Sequence, residues 1–108
     1  MKQRHLLIID DEENLRHMLS VMLRKQGFVI ETAAGGDEGL QKLAAQVYDF
    51  ILCDIRMPQM DGHTFLQRAI VRGVTAPIIM MTAYGGVDTA VACMQEGAYD
   101  FISKPFKQ

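Results

Sequence analysis

The sequence has no tryptophan, only two cysteines and three prolines, and no strong excess of either charge. Each scarcity excludes something. Cys53 and Cys93 are too few for the disulfide framework of a small secreted domain. Both lie in apolar stretches and read as buried free thiols. A reducing compartment, the cytoplasm, is therefore the expected location. No apolar run approaches the ~18–20 residues needed to span a bilayer. The opening MKQRHLLIIDDEE turns acidic after a short apolar stretch, which is not the pattern of a secretory leader. Net charge is −2, with −3 over residues 1–54 and +1 over 55–108. Neither half carries the basic stripe of a nucleic-acid-binding surface, so no direct nucleic-acid contact is expected. What remains is ordinary: 49% apolar and 22% charged residues in a chain of 108, the composition and size of one globular domain.

Along the chain, short apolar runs alternate with helical stripes. Leu6–Ile9 reads as a strand that stops at Asp10-Asp11. Leu15, Met18, Leu19, Met22 and Leu23 recur at helical spacing, and Gly27 supplies a stop. Phe28–Ala33 reads as a second strand, and Leu40, Leu43, Ala44 and Val47 as a second helical stripe after Gly35-Gly36. Phe50–Cys53 is a third strand ending at Asp54. Asp61 is a helix N-cap ahead of Phe65, Leu66, Ala69 and Ile70. Pro77 opens a fourth strand, Ile78–Met81; Val87, Ala90, Val91 and Met94 form a fourth helical stripe closed by Gly97; Tyr99–Ile102 is a fifth strand.

This alternation predicts an α/β fold with a parallel sheet covered by helices on both faces. The first, third and fourth strands are apolar throughout and belong in the centre, whereas FVIETA and YDFI mix in polar residues and belong at the edges. Right-handed crossovers then give the order 2-1-3-4-5, with the chain reversing direction between strands one and three. Ligands of such sheets bind beyond the carboxyl ends of the strands at that reversal. Asp10, Asp11, Asp54, Thr82 and Lys104 all fall at strand ends and should meet there. Three carboxylates packed together repel and call for a cation. An all-oxygen donor set suits a hard ion, Mg²⁺ above all. A carboxylate can attack a phosphoryl group, whose transfer needs mainly positioning and charge neutralisation. Asp54 is the candidate nucleophile and Asp10 and Asp11 the metal holders, with Asp54 itself and the main-chain carbonyl of Arg56 as further ligands. Lys104 and the Thr82 hydroxyl would contact phosphoryl oxygens.

The motifs D-D after an apolar strand, D-I-R-M-P-x-M-D-G, M-T-A, G-A-Y-D-F-I and K-P-F, in this order over the whole chain, resemble a response regulator receiver domain of a two-component system. The resemblance implies a flavodoxin-like (βα)5 fold, phosphorylation of Asp54 by a sensor histidine kinase, Mg²⁺ at Asp10 and Asp11, and a conformational switch through Thr82 and Phe101. It also implies a cis bond between Lys104 and Pro105. The stretch from Met81 to Phe106 is similar in particular to receivers of nitrogen-regulation-type, sigma-54-dependent activators. Those receivers precede an ATPase domain and a DNA-binding domain, so such an output domain is the implied partner, together with a homodimer through the fourth-helix and fifth-strand face. One receiver domain over 1–108 is expected, ending before the family's fifth helix. The flank left beside the first helix should then favour self-association. Arg56 and Tyr84 stand beside the acceptor and the switch threonine, at positions that vary in the family and bear on phosphoryl lifetime.

Two other functions fit parts of this pattern less well. A Mg²⁺-dependent phosphohydrolase with an aspartyl nucleophile usually has an acid two residues after it, and here that residue is Arg56. An interaction module that is no longer phosphorylated need not keep Asp10, Asp11, Asp54, Thr82 and Lys104 together. The domain is expected to catalyse only its own phosphorylation and dephosphorylation, not to be a metabolic enzyme. His5, His17 and His63 lack metal-binding spacing, and the eight methionines read as packing.

Overall fold

Apolar runs of five residues bury best when both of their faces are covered, and the chain arranges them so. The structure, a computed structural model, describes residues 3–82 and 87–104. Strands β1 (His5–Ile9), β2 (Val29–Ala33), β3 (Phe50–Asp54), β4 (Ile78–Thr82) and β5 (Asp100–Ser103) alternate with helices α1 (Glu13–Lys25), α2 (Gly36–Ala45), α3 (Gly62–Val71) and α4 (Val87–Gln95). All strand pairs are parallel and the sheet order is β2-β1-β3-β4-β5, the order expected from strand hydrophobicity. Parallel registers such as Ile9↔Cys53 and Asp54↔Met81 bring the carboxyl ends of β1, β3 and β4 to one edge.

Alternation along the strands divides the core into two layers. Leu7, Ile9, Ile51, Cys53 and Met80 face α2, α3 and α4, where they pack with Leu40, Phe65, Leu66, Ala69, Ala90 and Cys93. Leu6, Ile8, Leu52 and Met81 face the other way and pack with Leu19 of α1 and Ile30 of β2. Ile102 shares this second face through its register with Met81 and is exposed, while Ile79 is half-buried. Cys53 and Cys93 are buried free thiols.

Helix ends follow local chemistry. Asp61 caps α3 by accepting from Thr64 N–H at 2.8 Å. At the end of α1, Gly27 N–H donates to Arg24 O and Phe28 N–H to Leu23 O, the paired bonds of a Schellman turn. That turn needs a left-handed residue, and Gly27 sits at φ +97°. Gly97 closes α4 in the same way, through Gly97 N–H to Met94 O and Ala98 N–H to Cys93 O.

Several sequence expectations shift. Asp54 and Thr82 are the last residues of β3 and β4 rather than the residues that follow them. Phe28 precedes β2, and Tyr99 precedes β5 and is 67% exposed. Val47 does not belong to α2: the helix ends at Ala45, Gln46 is extended at φ −156° and ψ 150°, and Val47 is 88% exposed. Ile70, Val91 and Met94 hold helical positions but stay substantially exposed, because their stripes are wider than the surface they cover. Among the described residues no helix is long and apolar enough to cross a membrane. Tyr84, the Lys104–Pro105 bond and any helix beyond it lie outside the described residues.

Candidate functional site

The site is built where β1 and β3 end side by side. Apolar packing holds both strands, so the acids that terminate them are carried into partly or fully dry surroundings. Asp10 is 0% exposed and Asp54 4%, whereas Asp11 is exposed. One carboxylate oxygen from each of Asp10, Asp11 and Asp54 lies within 4.8 Å of the others. Lys104, immediately after β5, reaches across with its ammonium 2.7 Å from Asp10 Oδ2 and 3.3 Å from Asp54 Oδ1. Two of the three clustered carboxylates thus share the Lys104 ammonium.

Asp10 and Asp54 are held differently. Asp10 has both carboxylate oxygens engaged: Oδ1 accepts from Glu12 N–H at 2.9 Å and Oδ2 from Lys104. Its main chain is fixed as well, with N–H donating to Ala33 O at 3.1 Å and its carbonyl accepting from Arg16 Nη1 at 2.7 Å. Asp54 has the longer contact to Lys104. Burial first, and then the charge of Asp10, push its carboxyl up from a usual 3.8 to about 6, against the opposing pull of Lys104. On Lys104, burial works to lower the pKa, but the hydrogen bond to Asp10 and the charges of Asp54 and Asp10 outweigh it and leave the ammonium raised. The cation is therefore firmly protonated at neutral pH, and Asp54 is still mainly ionised there.

The loop after β3 is shaped by Gly62. Its N–H donates to Ile55 O at 2.7 Å, drawing the start of α3 against the end of β3. A side chain at Gly62 would collide with the Asp54 carbonyl oxygen, and its Cβ would lie 2.8 Å from Ile55 Cα. Sequence reasoning gave this glycine no part of its own, although a glycine directly after an N-cap aspartate, where a helix gains little from it, was a signal for close approach.

The other expected residues take distinct places. Thr82 ends β4 and is buried, and its carbonyl accepts from Lys104 N–H at 2.7 Å. It lies on the strand beside β3, one register step beyond the Asp54↔Met81 pair. Phe101 is not among the carboxylates. It pairs in register with Met80, is half-buried, and packs against the α2–α4 layer. Alternation puts Thr82 and Phe101 on the same face of adjacent strands. Arg56 is exposed on the loop leaving β3, two residues past Asp54. Two further groups were given no site role from the sequence. Arg16 touches the site through the Asp10 carbonyl, and His63 of α3 meets Glu96 just past α4, with Gln67 donating to the same carboxylate at 2.8 Å. These partners are 33 and 29 residues from Glu96, so only the fold could show them.

A doubly wound parallel sheet with a carboxylate cluster and a lysine at its topological switch point defines an open α/β domain with its ligand site at that edge. The response regulator receiver domain family matches residues 6–108. The chain belongs to that family. It is 44% identical over 101 residues to the regulatory protein AtoC of Escherichia coli (strain K12), covering 94% of this chain and 22% of that protein. It is 38% identical over 106 residues to the DNA-binding transcriptional regulator NtrC of the same strain, covering 98% and 23%. The similarity to nitrogen-regulation-type receivers expected from the sequence is thus borne out. Among solved structures, a putative response regulator from Chloroflexus aurantiacus superposes with a TM-score of 0.91 at 36% identity, covering 98% of this chain and 88% of that one. NtrX from Brucella abortus in complex with ADP superposes with a TM-score of 0.91 at 30% identity, covering 98% and 24%. The chain spans less than a quarter of the curated relatives named here.

Proposed function

We propose that this receiver domain is a phospho-accepting switch in which Asp54 takes a phosphoryl group from the phosphohistidine of a sensor kinase. The observation that carries this is the pairing of a buried Asp54, mainly ionised at neutral pH, at the end of β3 with a protonated Lys104 3.3 Å away. Asp10 is a poor rival, because each of its carboxylate oxygens is already committed. In the transfer an Asp54 oxygen attacks phosphorus, the bond from phosphorus to the donor imidazole nitrogen breaks, and the imidazole leaves carrying that electron pair. Lys104 is placed to offset the charge on phosphoryl oxygens, and the Thr82 hydroxyl to donate to one of them.

The donor set fits a hard divalent cation: the three clustered carboxylates supply only oxygen, and one ammonium does not neutralise them. Asp10, Asp11 and Asp54 would hold Mg²⁺, with the Arg56 main-chain carbonyl as a further ligand. When bound, the ion neutralises charge between the carboxylates and an anionic donor. Asp11, exposed and less committed than Asp10, is the better direct ligand.

The readout follows from the shared face of Thr82 and Phe101. A hydroxyl drawn towards the phosphoryl group vacates space that the Phe101 ring enters, changing the α4–β5 surface. That surface would serve a homodimer or an output domain, an ATPase with a DNA-binding module in a sigma-54-dependent activator acting in the cytoplasm. No metabolic substrate is required. The phosphohydrolase reading is disfavoured by Arg56, an exposed cation where a general acid would stand. Incubation with a small acyl phosphate and Mg²⁺ should add the mass of one phosphoryl group, and Asp54→Asn should abolish the gain. Undiminished labelling of Asp54→Asn would overturn the assignment.

A further inference from the structure

Arg16 has no part in the chemistry just described, yet its guanidinium reaches the cluster. It lies in the first turn of α1, where its N–H donates to Glu12 O at 3.0 Å and its carbonyl accepts from the buried Ser20 hydroxyl at 2.7 Å. The residue is therefore fixed at both ends of its main chain, and its Nη1 donates to Asp10 O at 2.7 Å. That carbonyl belongs to the peptide joining Asp10 to Asp11. Before this peptide, Asp10 N–H is held by Ala33 O, and beyond Asp11, Glu12 N–H closes back on Asp10 Oδ1. Asp11 itself is exposed, so the direction of its carboxylate depends on how the peptide plane is set. The Arg16 bond restrains that plane from outside this turn.

We propose that Arg16 is a positioning residue for the divalent-cation site, acting through the Asp10 carbonyl to aim the Asp11 carboxylate at Asp10 and Asp54. This rests on the reading that those three acids hold the cation. The inference has a sign that separates it from simple electrostatics. A guanidinium beside a cation site repels the cation, so if charge were its only influence, removing it would tighten binding. If Arg16 positions Asp11, removing it weakens binding despite the lost repulsion. Groups one step behind metal ligands typically change metal affinity 10- to 100-fold.

The test is calorimetric titration of Mg²⁺ into the unmodified chain and into Arg16→Met and Arg16→Lys, with melting of each measured in chelator. Arg16→Met should bind about 10-fold more weakly. Arg16→Lys, which keeps one donor able to reach the carbonyl, should recover part of the loss. A purely structural role would lower the melting point in chelator and leave the Mg²⁺ affinity of the folded protein unchanged. Should Arg16→Met not fold, Arg16→Gln carries the same criterion, since it too removes the charge. Equal or tighter binding by the neutral variant, beside normal binding by the unmodified chain, overturns the positioning role alone. No Mg²⁺ binding by the unmodified chain overturns the cation site, and the role of Arg16 with it.

Discussion

At the amino end of the sheet, the Asp49 carboxylate accepts from His5 N–H at 2.8 Å, Asp49 N–H donates to His5 O at 2.7 Å, and the Gln46 amide meets His5 Nδ1 at 3.1 Å. At the carboxyl end, three carboxylates cluster and two of them, Asp10 and Asp54, contact the Lys104 ammonium. Both ends place acids next to strand backbone, and both use residues distant in sequence. The difference lies in compensation. The amino end pairs one acid with a single main-chain donor and stays half-exposed to solvent. The carboxyl end buries two acids side by side, and that burial first, with the charge of Asp10 second, pushes the Asp54 carboxyl to about 6. The first arrangement holds loops together. The second sits above its electrostatic minimum, and any cation or proton that arrives is drawn in.

Substitutions at the two ends sharpen this contrast. The largest effect is expected at Lys104. Lys104→Met leaves the fully buried Asp10 without its cation, and breaking a buried pair of this kind costs about 3 kcal/mol. Denaturant melts at pH 7.5 should show that loss. At the amino end Asp49→Ala removes a single hydrogen bond to a half-exposed N–H and should cost about 1 kcal/mol. Phosphoryl labelling of Asp49→Ala should match that of the unmodified protein. Equal destabilisation by the two substitutions would erase the distinction between the ends.

The strand order was legible because burial on both faces demands continuous apolar runs, and only β1, β3 and β4 have them. The gathering of Asp10, Asp54 and Lys104 followed from topology alone. What the sequence did not show was that Asp10 is buried and Asp11 exposed. Adjacent residues at a strand end point in different directions, so one is buried and clamped while the other faces solvent. Val47 was misplaced because it continues the spacing of Leu43 and Ala44, and nothing local shows that the helix has already ended. Gln46 instead turns to meet His5, 41 residues away, a tertiary contact that periodicity does not carry. Arg16 and Gly62 were overlooked for a related reason: both act on main-chain atoms, and side-chain patterns are silent about those.

The central claim is that Asp54 is held ionised at a cost to the fold, and its pH signature is specific. Its folded-state pKa is raised from 3.8 to about 6, so the penalty is absent below about pH 4, grows between pH 4 and 6, and is complete above that. At roughly 1.4 kcal/mol per pKa unit the full penalty is about 2–3 kcal/mol, with the attraction of Lys104 already counted against it. The decisive measurement is the unfolding free energy of the unmodified protein and of Asp54→Asn from pH 4 to pH 8 in chelator. Asp54→Asn should be the more stable protein at pH 8 by about 2–3 kcal/mol, with the two curves converging towards pH 4. An Asp54→Asn protein that is no more stable than the unmodified one at pH 8 would contradict the account.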